Sequence, residues 1–250
     1  MRVVHDQNYI QLASIQSVSL GLPASTVGWI LAEQHGPSVA ICSILVGNLM
    51  LWLIAMAIIS MAFEGRSNAI ENARSYLGKY GAFFMAFVLL LAFLNWYVLQ
   101  INASVPLIGR YFQIEDRASI VRIGVGLGFL TALLSVDGIR IIKWATTATL
   151  PAILAYYVYA MIESNVVSHP LPSWGLSLSA ILYAILIFLP GIVNLPTFFR
   201  HAKTRANGYL ALTLMTLLIS FFEIAPIWMR FNGSELELFG FSSVAFIAWT

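Results

Sequence analysis

Two side chains in the stretch NWYVLQINAS, residues 95–104, are of types that could hold a flat ligand: Trp96 and Gln100. They are four apart, so on a helix they share one face, with Ala92 and Ala103 above and below. An indole stacks on a planar ring, and a carboxamide pairs with ring nitrogens and carbonyls. A small–aromatic–amide–small stripe therefore suits a nitrogen heterocycle. Asn95 and Asn102 share a different face and read as interhelical hydrogen-bonding residues. A second candidate is Glu223 in LISFFEIAPIW, the one carboxylate well inside an apolar run. Beyond these the sequence offers no catalytic set. It has no metal-ligand spacing, phosphate-binding loop or nucleophile–base pair, and His5, His35, His169 and His201 all fall in loops or termini. The expectation is a protein that is not an enzyme, with no metal and no cofactor.

The elements that must position these residues follow from composition. Hydrophobic residues make up 60% of the 250-residue chain, charged ones only 10%, and the mean hydropathy is +0.84. A water-soluble domain would expose far more apolar surface than it tolerates. Repeated apolar runs of about 20 residues are what the hydrocarbon thickness demands of a helix. The reading is an all-α polytopic membrane protein, a single transmembrane domain over 1–250, with the lipid bilayer as partner and no nucleic acid. Cys42 is the sole cysteine, so no disulfide framework exists. The start, MRVVHDQNYIQLAS, lacks the ordered regions of a signal peptide, and the first span is expected to direct insertion.

The spans are expected at roughly 9–33, 38–63, 81–110, 119–136, 139–163, 175–200 and 206–230, with a further run from 238. Separators such as EQHGP, DGIR and RHAKTRANG carry the breakers and charges. With the N-terminus cytoplasmic, the inner segments hold Arg2, Arg66, Arg74, Lys79, Arg140, Lys143, Arg200, Lys203 and Arg205. The outer segments then hold only Arg110, Arg117, Arg122 and Arg230, which favours this orientation in the cell membrane. In such a setting an unpaired charge at mid-bilayer costs ~2.5–3.5 kcal/mol on insertion scales. Glu223 is therefore expected to be protonated, paired or facing an aqueous cavity. It is a candidate for proton coupling, the plainer alternative being an outer vestibule two turns from Arg230.

Two spans carry helix breakers at similar depth. The first reads SVSLGLPASTVGW, with Gly21 and Pro23; the sixth reads IFLPGIVNLPTFFR, with Pro190, Gly191 and Pro196. Proline removes a helical hydrogen bond and glycine lets the chain leave helical geometry. Interruptions five spans apart are expected of a transporter built from inverted repeats, with its binding site between them. Pro106, Pro151 and Pro226 read as ordinary kinks.

Several short strings, taken in order, resemble the nucleobase:cation symporter-1 family. They are VGN (46–48), NARSYLGKYG (72–81), WYVLQ (96–100), KWATTATLP (143–151) and FLPGIVNLPTFFRHAK (188–203). The resemblance runs from about residue 10 to 230. It implies the leucine-transporter-type fold, in which ten core helices form two inverted five-helix repeats. The first repeat would occupy 9–163, and an incomplete second one 175–250. It also implies import of purines, pyrimidines, hydantoins, allantoin or related vitamins, driven by Na+ or H+. By resemblance Trp96 and Gln100 take the stacking and amide roles, and Phe188 lies near a second aromatic clamp. Gly191 and Asn194 would sit in an unwound part of span six. The break in span one would place Ser25 at the substrate and the backbone of Gly21 and Ala24 at a cation.

The sequence departs from that family where an aspartate before Phe-x-Arg is Thr197, and where Pro196 is an extra breaker. Span eight, which supplies hydroxyl ligands to the family's sodium site, is essentially missing. The chain is expected to be a fragment or truncated member of a longer transporter, with the remaining helices supplied by a continuation or a second chain. Two alternatives are a transporter of a charged amine or amino acid from the wider amino-acid/polyamine superfamily, and a truncated remnant that does not transport.

Overall fold

A computed structural model describes residues 7–65, 68–114, 116–136, 139–163 and 174–231. Within them the chain forms seven helices: α1 (Tyr9–His35), α2 (Pro37–Gly65), α3 (Ala69–Tyr111), α4 (Arg117–Val136), α5 (Ile139–Glu163), α6 (Leu178–Phe199) and α7 (Arg205–Phe231). No strand occurs among the described residues; a lone parallel bridge joins Gln7 to Ala202. The run from 238 lies outside them.

Local chemistry sets the helix ends. Asn8 caps α1 by accepting from the Gln11 amide at 2.9 Å while its own amide donates to Gln11 Oε1 at 3.2 Å. At the other end Gly36, at φ 83°, turns the chain, and Pro37 opens α2, where its missing N–H costs nothing. Asn68 and Glu71 form the same reciprocal cap on α3, at 2.7 and 2.8 Å. Asp116 accepts from the Ser119 amide at 2.9 Å and caps α4. Ser177 caps α6.

Two expectations about the backbone need correction. The breaks foreseen in spans one and six are absent: α1 passes through Gly21 and Pro23, and α6 through Pro190, Gly191 and Pro196, as continuous helix. A proline inside a helix costs one hydrogen bond, whereas unwinding in an apolar surrounding would orphan several polar backbone groups. Continuing the helix is the cheaper answer. The interior break that does occur is in α3, where Gly78 at φ 71° leaves helical geometry and sets residues 69–77 off from the long apolar stretch that follows.

Among the described residues, four helical segments are long and apolar enough to cross a membrane: Pro37–Met61, Ala69–Asn95, Leu178–Phe199 and Arg205–Trp228. An all-helical chain of this kind is what a polytopic membrane protein requires. α1 is largely enclosed by other helices. Leu12, Ala13, Ala24, Val27 and Leu31 are buried, and so are Ser14, Gln16, Ser17 and Ser25.

That enclosure comes from α2, α6 and α7. The most extensive packing joins α1 to α7 and α2 to α6, followed by α2 to α7. α1 and α7 run parallel, since Gln7 pairs with Ala202 at one end and Gly28 meets Glu223 further along. α2 and α6 are parallel too: Ser43 Oγ accepts from the Ser177 amide at 3.1 Å, and Gly47 abuts Ala184. α2 opposes α7, because Asn48 meets Ser220 while Ser60 meets Tyr209 at 3.0 Å. α3 and α4 form a separate hairpin around Val105, Ile108 and Leu127.

Candidate functional site

The bundle of α1, α2, α6 and α7 has a polar centre. Ser220 and Glu223 lie one turn apart on α7 and face Asn48 on α2. The Glu223 side chain is completely buried, and Asn48 is 3% exposed. The Asn48 amide donates to Ser220 Oγ at 2.9 Å and also to Glu223 Oε2. Both of its hydrogens are therefore spent, one on each partner. Glu223 Oε1 has no hydrogen-bond partner among the described residues. A carboxyl in this setting must hold a proton or meet a cation, because a lone buried anion with one neutral donor is poorly compensated.

A neighbouring layer explains how α7 is held. Pro226 has no N–H, so the Phe222 carbonyl loses its helical partner four residues on. Ser25 of α1 replaces that partner, its hydroxyl donating to Phe222 O at 3.1 Å. With that hydrogen committed, the close contact between Ser25 Oγ and the Tyr157 hydroxyl of α5 has tyrosine as donor. The Tyr157 ring packs against Phe221 and Phe222 with centroids 6.0 and 5.4 Å apart. One turn along α1, Gly28 lies against the Glu223 main chain so closely that a Cβ would collide with the Glu223 carbonyl oxygen. Glycine here is a requirement of approach between helices rather than of backbone angle.

The expected site residues distribute unevenly over this frame. Glu223 is at the centre, and Ser25 is adjacent to it through Phe222, with its hydroxyl already engaged by α5 and α7. Gly21 and Ala24 lie inside continuous helix, where their carbonyls run along the axis rather than ending at a break. Phe188 is buried in the main apolar core on α6. Gly191 has open space where a side chain would be, and Asn194 is half-buried, accepting from Thr197 Oγ1 at 2.8 Å. Trp96 and Gln100 are on the helical backbone of α3, and their side chains lie outside the described residues. Beside them Tyr97 donates to the Gly128 carbonyl of α4 at 2.5 Å, and Asn95 is exposed. α3 packs chiefly on α4 and secondarily on α6. Extensive packing of α3 on α1, which would join Trp96 to the first span, is not seen among the described residues.

Sequence reasoning missed Asn48, Ser220, Tyr157 and Gly28. Asn48 had a signal: it is the one amide in an otherwise apolar span. Ser220 lies one turn before the sole mid-span carboxylate, which is a weaker cue. Nothing local distinguishes Gly28 from other membrane glycines or Tyr157 from its neighbours in YYVY. The chain matches no family model, no curated protein and no solved structure.

Proposed function

We propose that this chain is a cation-coupled secondary transporter that imports a nucleobase or related planar nitrogen heterocycle by alternating access. The observation that carries this reading is the carboxyl of Glu223, buried between α2 and α7 with one oxygen free of partners among the described residues. Ionisable side chains facing the interior of a membrane bundle are expensive and mark ion or substrate pathways. The helix arrangement supports the same reading. Exchanging α1 with α6 and α2 with α7 converts the α1–α7 pair into the α6–α2 pair, and these are the two most extensive contacts. Each pair is parallel and α2 opposes α7, the pattern that two inverted repeats would generate.

The substrate class rests on the Trp96–Gln100 stripe and on the resemblance of the strings around it. In this reading a heterocycle stacks on the indole and pairs with the amide, with Phe188, Gly191 and Asn194 on the facing helix. The cell membrane, with the N-terminus cytoplasmic, is the proposed setting. A cation that binds the substrate-ready form more tightly raises substrate affinity, and the substrate raises cation affinity by the same factor. The test is binding of a labelled panel (cytosine, uracil, adenine, guanine, hydantoin, allantoin, thiamine) to the purified chain, read by quenching of tryptophan fluorescence. Saturable binding of one compound, lost in Trp96→Ala while the variant still inserts and folds, is expected. Undiminished binding by that variant would remove the pocket assignment.

A further inference from the structure

Of the two coupling ions open to such a transporter, we propose that the cation is a proton, and that Glu223 Oε1 is the atom that takes it up and gives it back. This rests on the transport reading for its biological meaning but not for its chemistry. The reaction is simple: a carboxylate oxygen forms an O–H bond with a proton from one aqueous side, and the same bond breaks to the other side. No co-reactant is needed.

The donor set around the carboxyl decides between H+ and an alkali cation. A sodium ion wants several oxygens turned toward it. Here the group fixed against the carboxyl is the Asn48 amide nitrogen, which presents hydrogen to Oε2 and hydrogen to Ser220. The nearest hydroxyls are held in bonds of their own rather than turned toward the carboxyl: Ser25 to Phe222 O, and Tyr157 to Ser25. α1 brings Gly28, which adds no side-chain atom at all. What remains is a half-used carboxyl whose Oε2 is fixed by a donor and whose Oε1 is free of partners among the described residues. A proton needs only that one oxygen.

Other ionisable groups on the surrounding helices are few. On α5 the neighbour is Tyr157, whose hydroxyl is engaged. On α1 the acidic and basic residues are Glu33 and His35, about five residues or more beyond Gly28, or ~7 Å along the axis. On α2 the described titratable side chain is Cys42, six positions before Asn48. α6 carries Tyr183 toward its start, and Arg200 just past its end makes an ion pair with Glu71 at 3.5 Å. On α7 itself Tyr209 bonds Ser60, far along the helix. Among the described residues none of these supplies a counter-charge to Glu223.

The experiment is infrared difference spectroscopy on the full chain in lipid nanodiscs, titrated across pH in H2O and D2O, with Na+ exchanged for K+. A protonated-carboxyl C=O band that shifts in D2O, disappears at high pH and is lost in Glu223→Gln is expected, unchanged by the Na+ exchange. Should Glu223→Gln fail to fold, Glu223→Asp must move the band's frequency or its midpoint. Absence of any such band, a band indifferent to both variants, or one abolished by Na+ at fixed pH would each overturn the proposal. The readout needs no substrate. A titrating Glu223 band in protein that binds no heterocycle would sink the transport reading alone, whereas heterocycle binding that depends on Na+ with no band would sink the proton alone.

Discussion

The bundle of α1, α2, α6 and α7 and the α3–α4 hairpin both turn apolar side chains outward and differ in what they enclose. In the bundle, polar groups are inside: Ser25, Asn48, Ser220 and Glu223 are all buried. On the hairpin the apolar groups are outside, with Phe83, Phe84, Phe87, Val125 and Phe129 exposed. Water would forbid the second pattern, and lipid permits it because hydrocarbon tails are as apolar as those side chains. Helices in lipid gain little from hydrophobic burial against each other, so close packing and internal hydrogen bonds must carry association. The bundle has both. The hairpin holds together with a smaller apolar cluster and the Tyr97–Gly128 bond. Among the described residues, buried polar geometry is therefore concentrated in the bundle.

The sharpest way to break this contrast is at two glycines. Gly28→Ala puts a methyl into the Glu223 carbonyl oxygen, a backbone atom that cannot rotate away. Separating α1 from α7 disturbs the largest helix contact and the polar centre together. Overpacking of this kind costs ~1–3 kcal/mol or more, and loss of folded, monodisperse protein in detergent is expected. Gly126→Ala on α4 meets open space and should be neutral or slightly stabilising, since alanine is the better helix former by about 1 kcal/mol. Equal melting behaviour of the two variants would erase the distinction between regions.

A middle-sized effect is expected at Ser25, and a second substitution sharpens it. Ser25→Ala leaves the Phe222 carbonyl and the Tyr157 hydroxyl short of partners, a loss of about 1–3 kcal/mol. Pro226→Ala restores an N–H that can bond Phe222 O within α7. In a double-mutant cycle the cost of Ser25→Ala should therefore shrink when Pro226 is already alanine. Additive costs would mean that Ser25 does not serve the carbonyl freed by proline.

Pro226 also shows how far the sequence could be read. As a local symbol it says only that one hydrogen bond is missing; which atom repairs the loss is decided by a serine 201 positions earlier in the chain. The same holds for Glu223. Its depth in an apolar run was plain from hydropathy, but its partner Asn48 depends on α2 lying against α7. Helix ends were legible because caps and breakers act locally: Gly36–Pro37 lies within EQHGP, and Asn8 and Asp116 stand just ahead of the spans expected at 9–33 and 119–136. The start of α3 was less so, since residues 69–77 carry charge and precede the apolar stretch, and only the dihedral at Gly78 divides them from it. The prolines of the first and sixth spans misled, because a breaker's cost is set by whether neighbours can absorb it. The Trp96–Gln100 stripe is a statement about one helix face, and a face becomes a pocket only through what lies opposite.

The smallest effect belongs to the hairpin and should leave the bundle untouched. Asp116 is exposed between α3 and α4, and the Ser119 hydroxyl, then the Ser119 and Ala118 amides, hold its carboxyl below the ordinary 3.8. A depressed folded-state value means that the cap's contribution is present above about pH 3.8 and is lost as pH falls through the folded value. Exchange of the Ser119 and Ile120 amides should accelerate, relative to intrinsic rates, only in that acid window, as the first turn of α4 frays. Asp116→Asn keeps a capping oxygen without a proton to gain, so its exchange should lose the acid dependence. Amides of α1 and α7 around Gly28 and Phe222 should show no change over the same range. If they loosened in step with Ser119, the hairpin and the bundle would be one cooperative unit, and the contrast between them would be one of composition alone.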